Sequence, residues 1–211
     1  MSLPILHHCA GARSFRCLWA AEEANFPIDL RMLPFPPRVF APAFKDVNPL
    51  GTIPAWEEHG HIITESGAIC ERIAHGTPLA VTPEEADWLP YLNWLHRSDA
   101  TLTFPQTIVL RYTKLEPKER RLPQAAEDYL GFFLGRAKSI ERALADGREF
   151  LVAGRFTMAD VTVGYAIMLA QSLKIDGELG PLTKAWYARL TERDAFKRAR
   201  EREGGGTSIP D

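Results

Sequence analysis

A carboxylate and a hydroxyl side by side at the start of a helix can hold the two charged groups of an α-amino acid. Glu65-Ser66 have that placement. Thr64 or Ser66 can cap a helix whose apolar positions are Ala68, Ile69 and Ile73. The unpaired N–H groups and the dipole of a helix N-terminus attract an anion. A carboxylate therefore fits at Ser66 and an ammonium at Glu65. Upstream, Thr52-Ile53-Pro54-Ala55-Trp56 is extended, because the residue before a proline is pushed out of the α region. Pro54 is then either a sheet-edge proline or part of a cis bond that turns the backbone of Ile53 toward a ligand. The capped helix that follows favours the second reading. Asn48-Pro49-Leu50-Gly51 is turn chemistry, and His59-Gly60 is a two-residue turn joining two short strands.

The second place for chemistry is Cys9–Ser14, a glycine-containing turn between the apolar run Leu3–His7 and a helix-spaced stretch, Ser14–Asn25. A thiolate is a nucleophile and a thiol is not, so a donor or a helix N-terminus here can activate sulfur. Dithiol redox chemistry needs a second cysteine three residues on, and Ala12 stands there. Cys17 and Cys70 fall at helical core positions. His7-His8 look like a metal pair, but neighbours on a strand face opposite sides and no other ligand lies close in sequence. No metal is expected.

These sites need elements to hold them. Leu3–His7 and the alternating Ile28–Leu33 read as strands, with the Ser14–Asn25 helix between them. Pro34 and Pro36-Pro37 end the second strand, and Val39–Val47 reads as a short or irregular helix. With the segment above, the order is βαβαββα, a two-layer α/β sandwich over residues 1–76. Gly76–Pro83 is linker-like. Residues 84–201 read as all helical. Glu84–Tyr112 is one stretch, with an interruption at Phe104-Pro105. Pro117 is expected to open the next helix, which carries Tyr129, Phe133 and Ile140. Thr157-Met158-Ala159-Asp160 is a capping box before a helix apolar nearly all round, Val161–Leu173, the expected centre of a bundle. A further helix carries Trp186, Tyr187 and Leu190. Gly204–Gly206 open a tail.

Composition bounds the function. A net charge of -2 gives no reason to expect nucleic acid or an anionic membrane as partner. No apolar run reaches the roughly 20 residues of a membrane span. Met1–Cys9 lacks the pattern of a signal peptide, and 3 scattered cysteines suit a reducing compartment, so a cytoplasmic protein is expected.

Asn48 through Ile69 resembles the glutathione-binding half of the cytosolic glutathione transferases, of bacterial or fungal type. That family shows Asn-Pro-x-Gly-x-hydrophobic-Pro, a hairpin, then Glu-Ser-x-Ala-Ile, and every one of those positions is matched. The resemblance extends from about Leu3 to about Arg200, through the capped buried helix and Arg193–Phe196. It implies a thioredoxin-like N-terminal domain, an all-helical C-terminal domain and a homodimer. It also implies glutathione as co-substrate, whose thiolate attacks a small hydrophobic electrophile. Glutathione-dependent isomerisation, dehalogenation, peroxide reduction and non-catalytic binding share the same fold. Carried over residue by residue, the resemblance gives Ile53, Pro54, Glu65 and Ser66 to glutathione, with Arg38 or Lys45 for its glycine carboxylate. Phe104, Thr107, Arg111 and Tyr112, beside Leu110, are candidates for the electrophile pocket. Arg97 and Ser98 lie where members approach the partner subunit. Where the family places a Tyr, Ser or Cys to activate the sulfur, this chain has Ala12. Ser14, Cys9, or Arg13 with the backbone N–H groups around it are the substitutes.

Overall fold

The computed structural model describes residues 2–206. The chain forms two compact units: one runs to Ala80 and resumes at Thr191, and the other holds Val81–Leu190.

The first unit is built on a sheet of four short strands, β1 (Ile5–His8), β2 (Asp29–Met32), β3 (Ala55–Glu58) and β4 (His61–Ile63), in the order β2-β1-β3-β4. β1 and β2 are parallel, which demands a crossover. Helix α1 (Phe15–Glu23) supplies it. β3 returns antiparallel to β1, and β4 pairs antiparallel with β3. His59 and Gly60 both have positive φ, 51° and 78°, so the two-residue turn matches the twist of the strands it joins. The segment expected to be a short or irregular helix is one helical turn, α2 (Pro37–Phe40), followed by a 3-10 turn at Pro42–Asp46. Helix α3 (Ser66–Ala74) packs against α1. Phe15, Leu18, Trp19, Ile69 and Ile73 are buried, each contributing roughly 1.5–3 kcal/mol relative to exposure. This is the two-layer unit expected from the alternation of element types, in the thioredoxin-like arrangement that the resemblance implies.

The second unit is helical. Helix α4 (Trp88–Arg97) runs into α5 (Phe104–Leu110) through a wide π-type turn at Ser98–Thr103. Pro105 explains the interruption: it lacks an N–H and its ring crowds the preceding turn. Side chains bond to other carbonyls of this stretch. Thr103 Oγ1 donates to Ser98 O at 2.6 Å, and Gln106 Nε2 to Leu102 O at 2.9 Å. Pro117 does not open the long helix. It precedes a single 3-10 turn, Lys118–Arg120, and α6 (Pro123–Leu144) starts six residues later in sequence, with its own proline fixing φ in the first turn.

Helix α7 (Met158–Ser172) is buried along nearly its whole length. The capping box forms as the sequence predicts: Thr157 accepts from Ala159 N–H, and Asp160 accepts from Thr157 N–H at 3.0 Å. Asp160 also accepts from Leu151 N–H at 3.0 Å and from Trp186 Nε1–H at 3.2 Å, the latter on α8 (Pro181–Thr191). One carboxylate thereby joins the cap, the preceding loop and the next helix.

Sequence alone assigns residues 84–201 to the helical part. In the structure the chain from Thr191 packs with the first unit instead. Helix α9 (Asp194–Arg202) lies on α1, with Phe196 edge-on to both Phe15 and Trp19. Arg193 pairs with Glu23, and Arg198 and Arg202 with Glu22.

Candidate functional site

Three segments of the first unit carry the candidate residues: the β1–α1 turn, the loop into β3, and the start of α3. In the first, Cys9 is fully buried. Its Sγ lies 3.6 Å from Pro34 O and its N–H donates to Ser14 Oγ at 3.3 Å. Burial pushes the Cys9 thiol up to about 12, so it stays protonated near neutral pH. Ser14 is also fully buried, its hydroxyl tying the turn together from inside. Ala12 offers no side-chain donor. The Ser14 N–H has no acceptor among the described residues. Arg13 is half-buried at the opening of α1.

The turn is also held from the far end of the chain. Glu203, at the C-terminal end of α9, has a fully buried carboxylate. Its Oε2 accepts from Gly11 N–H at 2.8 Å and is 3.0 Å from His8 Nε2. Its Oε1 pairs with Arg200. His7 points to the other face of the sheet, 2.6 Å from Glu57 and against the Phe44 ring. The alternation of side chains along β1 thus separates the two imidazoles, and no group of three metal-ligating side chains occurs among the described residues.

The Ile53-Pro54 bond is cis. Neither backbone polar group of Ile53 has a hydrogen-bond partner among the described residues, because β3 begins only at Ala55. Such an open N–H and C=O pair is what an added extended chain would use. Asn48, almost fully buried, shapes the approach: its Nδ2 donates to Thr52 O at 2.7 Å and its Oδ1 accepts from Leu50 N–H at 3.1 Å. Arg38 and Lys45 flank Gly51, and both are exposed. Gly51 has φ +62°, and a Cβ there would stand 2.9 Å from the Arg38 Cβ. Gly51→Ala is expected to lower stability by about 1–2 kcal/mol through left-handed backbone strain, read as a lower urea midpoint with unchanged slope. An unshifted midpoint would show that the loop relaxes.

At α3, Glu65 is exposed, with extended backbone (φ -88°, ψ 116°) and no carboxylate partner among the described residues. Ser66 is buried, and its Oγ accepts from Arg16 Nη1 at 3.3 Å. Arg16 is itself fully buried. A guanidinium below a helix N-terminus adds its charge to the helix dipole, so the start of α3 attracts a carboxylate doubly. Sequence reasoning did not place Arg16 in the site. The available signal was a charged residue inside the apolar stripe Phe15–Trp19, where a buried cation is costly unless it has a task.

Phe104, Thr107, Arg111 and Tyr112 lie in the second unit. Phe104 is half-exposed and edge-on to Tyr129, and Thr107 Oγ1 donates to Phe104 O at 2.7 Å. Arg111 lies over the Tyr112 ring and pairs with Glu116 at 2.8 Å.

Comparison with known proteins agrees with this geometry. The family described as "Glutathione S-transferase, N-terminal domain" matches residues 11–75. Glutathione S-transferase 3 of Schizosaccharomyces pombe is 25% identical over 214 residues, covering 94% of this chain and 87% of that protein. Elongation factor 1-gamma of Sus scrofa is 25% identical over 202 residues, covering 88% of this chain and 44% of that longer protein. A glutathione transferase of Phanerochaete chrysosporium, solved with oxidized glutathione, superimposes with a TM-score of 0.82 at 22% identity, covering 96% of this chain and 97% of its own. The chain has the glutathione S-transferase fold, and its residues 11–75 match that family's N-terminal domain.

Proposed function

We propose that this protein is a cytoplasmic, homodimeric glutathione transferase that adds the thiolate of glutathione to a small hydrophobic electrophile. The observation that carries the reading is the pairing of an open backbone at Ile53 with Ser66 set over the buried Arg16. The γ-glutamyl carboxylate takes the N-terminus of α3 and Ser66, and the ammonium takes Glu65. The cysteinyl unit of glutathione lies along Ile53 as an added strand. Arg38 or Lys45 takes the glycine carboxylate. Phe104, Thr107, Arg111 and Tyr112 are the proposed electrophile-side residues. Cys9 and Ser14 are buried and engaged with each other. The group that stabilises the thiolate is therefore the N-terminus of α1, through the Ser14 N–H and Arg13.

Titration calorimetry with glutathione tests the binding half, and absence of heat at millimolar concentration would sink it. Two variants separate the thiolate options. Ser14→Ala is expected to leave the thiol pKa of bound glutathione unchanged. Arg13→Ala is expected to raise it by about one unit, with conjugation slowed about tenfold at neutral pH. A raised pKa in Ser14→Ala alone would return the role to the hydroxyl.

One observation favours a second reading. Ala12 supplies no side-chain donor to sulfur, so binding without turnover is the alternative. Glutathione binding with no activity on electrophile, isomerisation, dehalogenation or peroxide substrates would select it.

A further inference from the structure

We propose that the electrophile is an acid, a hydrophobic group whose carboxylate is held by Arg111. The inference rests on the glutathione transferase reading above and adds the substrate class to it. Helix α5 buries Pro105, Gln106, Val109 and Leu110. Phe104, Ile108 and Arg111 share its other face, at the i, i+4 and i+7 spacing of one helical stripe. Phe104 and Arg111 are exposed and Ile108 is half-buried, and Arg111 keeps helical backbone at φ -56°, ψ -53°. Helix neighbours at i and i+3 stand about 5–6 Å apart. An apolar ring against Ile108 therefore brings a carboxylate on that ring to Arg111.

The guanidinium is already positioned for this. It lies over the Tyr112 ring, 5.5 Å from the centroid, and its Nε donates to Glu116 Oε1 at 2.8 Å. Stacking and that one bond fix the plane of the fork. Neither Nη group has a hydrogen-bond acceptor among the described residues. Two free N–H donors in one plane are what bidentate recognition of a carboxylate requires.

The surroundings carry an excess of positive charge. Arg111 and Arg120 share the single Glu116 carboxylate, at 2.8 and 3.4 Å. Arg121 donates only to carbonyl oxygens among the described residues, of Glu116 at 3.1 Å and of Lys114 at 3.3 Å. Residues 111–121 hold five Lys or Arg and two Glu, in a chain whose net charge is -2. Such a patch raises the local concentration of an anionic substrate. Arg97, which the resemblance gives to the partner subunit, lies fourteen residues earlier, about 20 Å along a helical path.

Calorimetry on the full chain with glutathione, S-p-methylbenzylglutathione and S-p-carboxybenzylglutathione is the test, and it needs no turnover. The two conjugates differ only in a methyl against a carboxylate. The carboxylate conjugate is expected to bind about tenfold more tightly, with the preference narrowed by added NaCl. Arg111→Gln should abolish the preference, and Arg111→Lys should retain about threefold, because an ammonium keeps the charge without the fork. Equal affinity for the two conjugates, or tighter binding of the methyl one, overturns the proposal and leaves the glutathione reading standing. Binding of glutathione with neither conjugate does the same. A preference that persists undiminished in Arg111→Gln also overturns it. If neither glutathione nor a conjugate binds, the glutathione reading falls and the proposal falls with it.

Discussion

Replacing Asp160 with alanine is expected to lower the unfolding free energy by about 3–5 kcal/mol. Losing the cap of α7 alone costs about 0.5–2 kcal/mol. The larger part comes from the donors left behind. Leu151 N–H, Thr157 N–H and Trp186 Nε1–H all give to this carboxylate, and Trp186 is fully buried. A buried donor without an acceptor costs about 1–3 kcal/mol, and the three costs do not add in full because they share one cavity. Asp160→Asn retains an acceptor of the same shape and should cost about half as much. The carboxylate also imposes a pH dependence. Burial pushes Asp160 up to about 6, against its hydrogen bonds, which pull it down. A folded-state value above the unfolded one, near 4, means that the folded state holds the extra proton between about pH 4 and pH 6. The contribution of this group is complete below about pH 4 and is lost as pH rises to about 6, by about 3 kcal/mol at most. Urea unfolding of wild type and Asp160→Asn across that interval is the measurement. A wild-type slope that persists in Asp160→Asn would assign it to another group, and an alanine variant within about 1 kcal/mol of wild type would refute the network.

The parts legible in the sequence are those whose physics is local. The capping box at Thr157–Asp160 has both partners three residues apart, and its reciprocal bonds form. His59-Gly60 states its turn because few residue pairs accept positive φ twice. The alternation of strand and helix patterns gives the two-layer unit, and the adjacency of His7 and His8 separates them across the sheet. Boundaries near prolines were less legible. Pro105 distorts its helix into a wide turn rather than ending it, while Pro117 and Pro123 look alike in sequence and only the second starts a helix. The candidate site divides in the same way. Asn48–Ser66 is one contiguous segment with turn and cap residues at fixed spacing. Which way the Ser14 hydroxyl points depends on the backbone of Cys9, and no periodicity reports that. Arg16 reaches Ser66 across fifty positions of chain, and Glu203 reaches His8 from near the other terminus. Contacts at that separation leave no pattern in one sequence beyond a charged residue where an apolar one is due.

Glu203→Ala is expected to weaken glutathione binding about tenfold and to lower stability by about 2–4 kcal/mol. The carboxylate is the acceptor for the Gly11 N–H and lies beside the His8 ring and Arg200, with no exposed surface of its own. Its removal leaves a donor, an imidazole and a guanidinium around an empty space. Gly11 has φ +70°, so the turn has freedom that the hydrogen bond restrains. Loosening it moves the start of α1, where the proposed thiolate stabilisation resides, and the effect should exceed that of a general loss of stability. Three readouts distinguish the two. The thiol pKa of bound glutathione should rise in Glu203→Ala. It should stay unchanged in Gly51→Ala, whose added Cβ meets Arg38 and Lys45. Glu203→Gln keeps an oxygen for the Gly11 N–H and should recover most of the affinity while losing the ionic contact to Arg200. If Glu203→Ala binds glutathione with wild-type affinity and thiol pKa, the bond from Cys9 N–H to Ser14 Oγ is sufficient to hold the turn, and α9 serves only to cover α1. If affinity falls and Glu203→Gln fails to restore it, charge rather than hydrogen-bond geometry is what the C-terminal helix brings to the site.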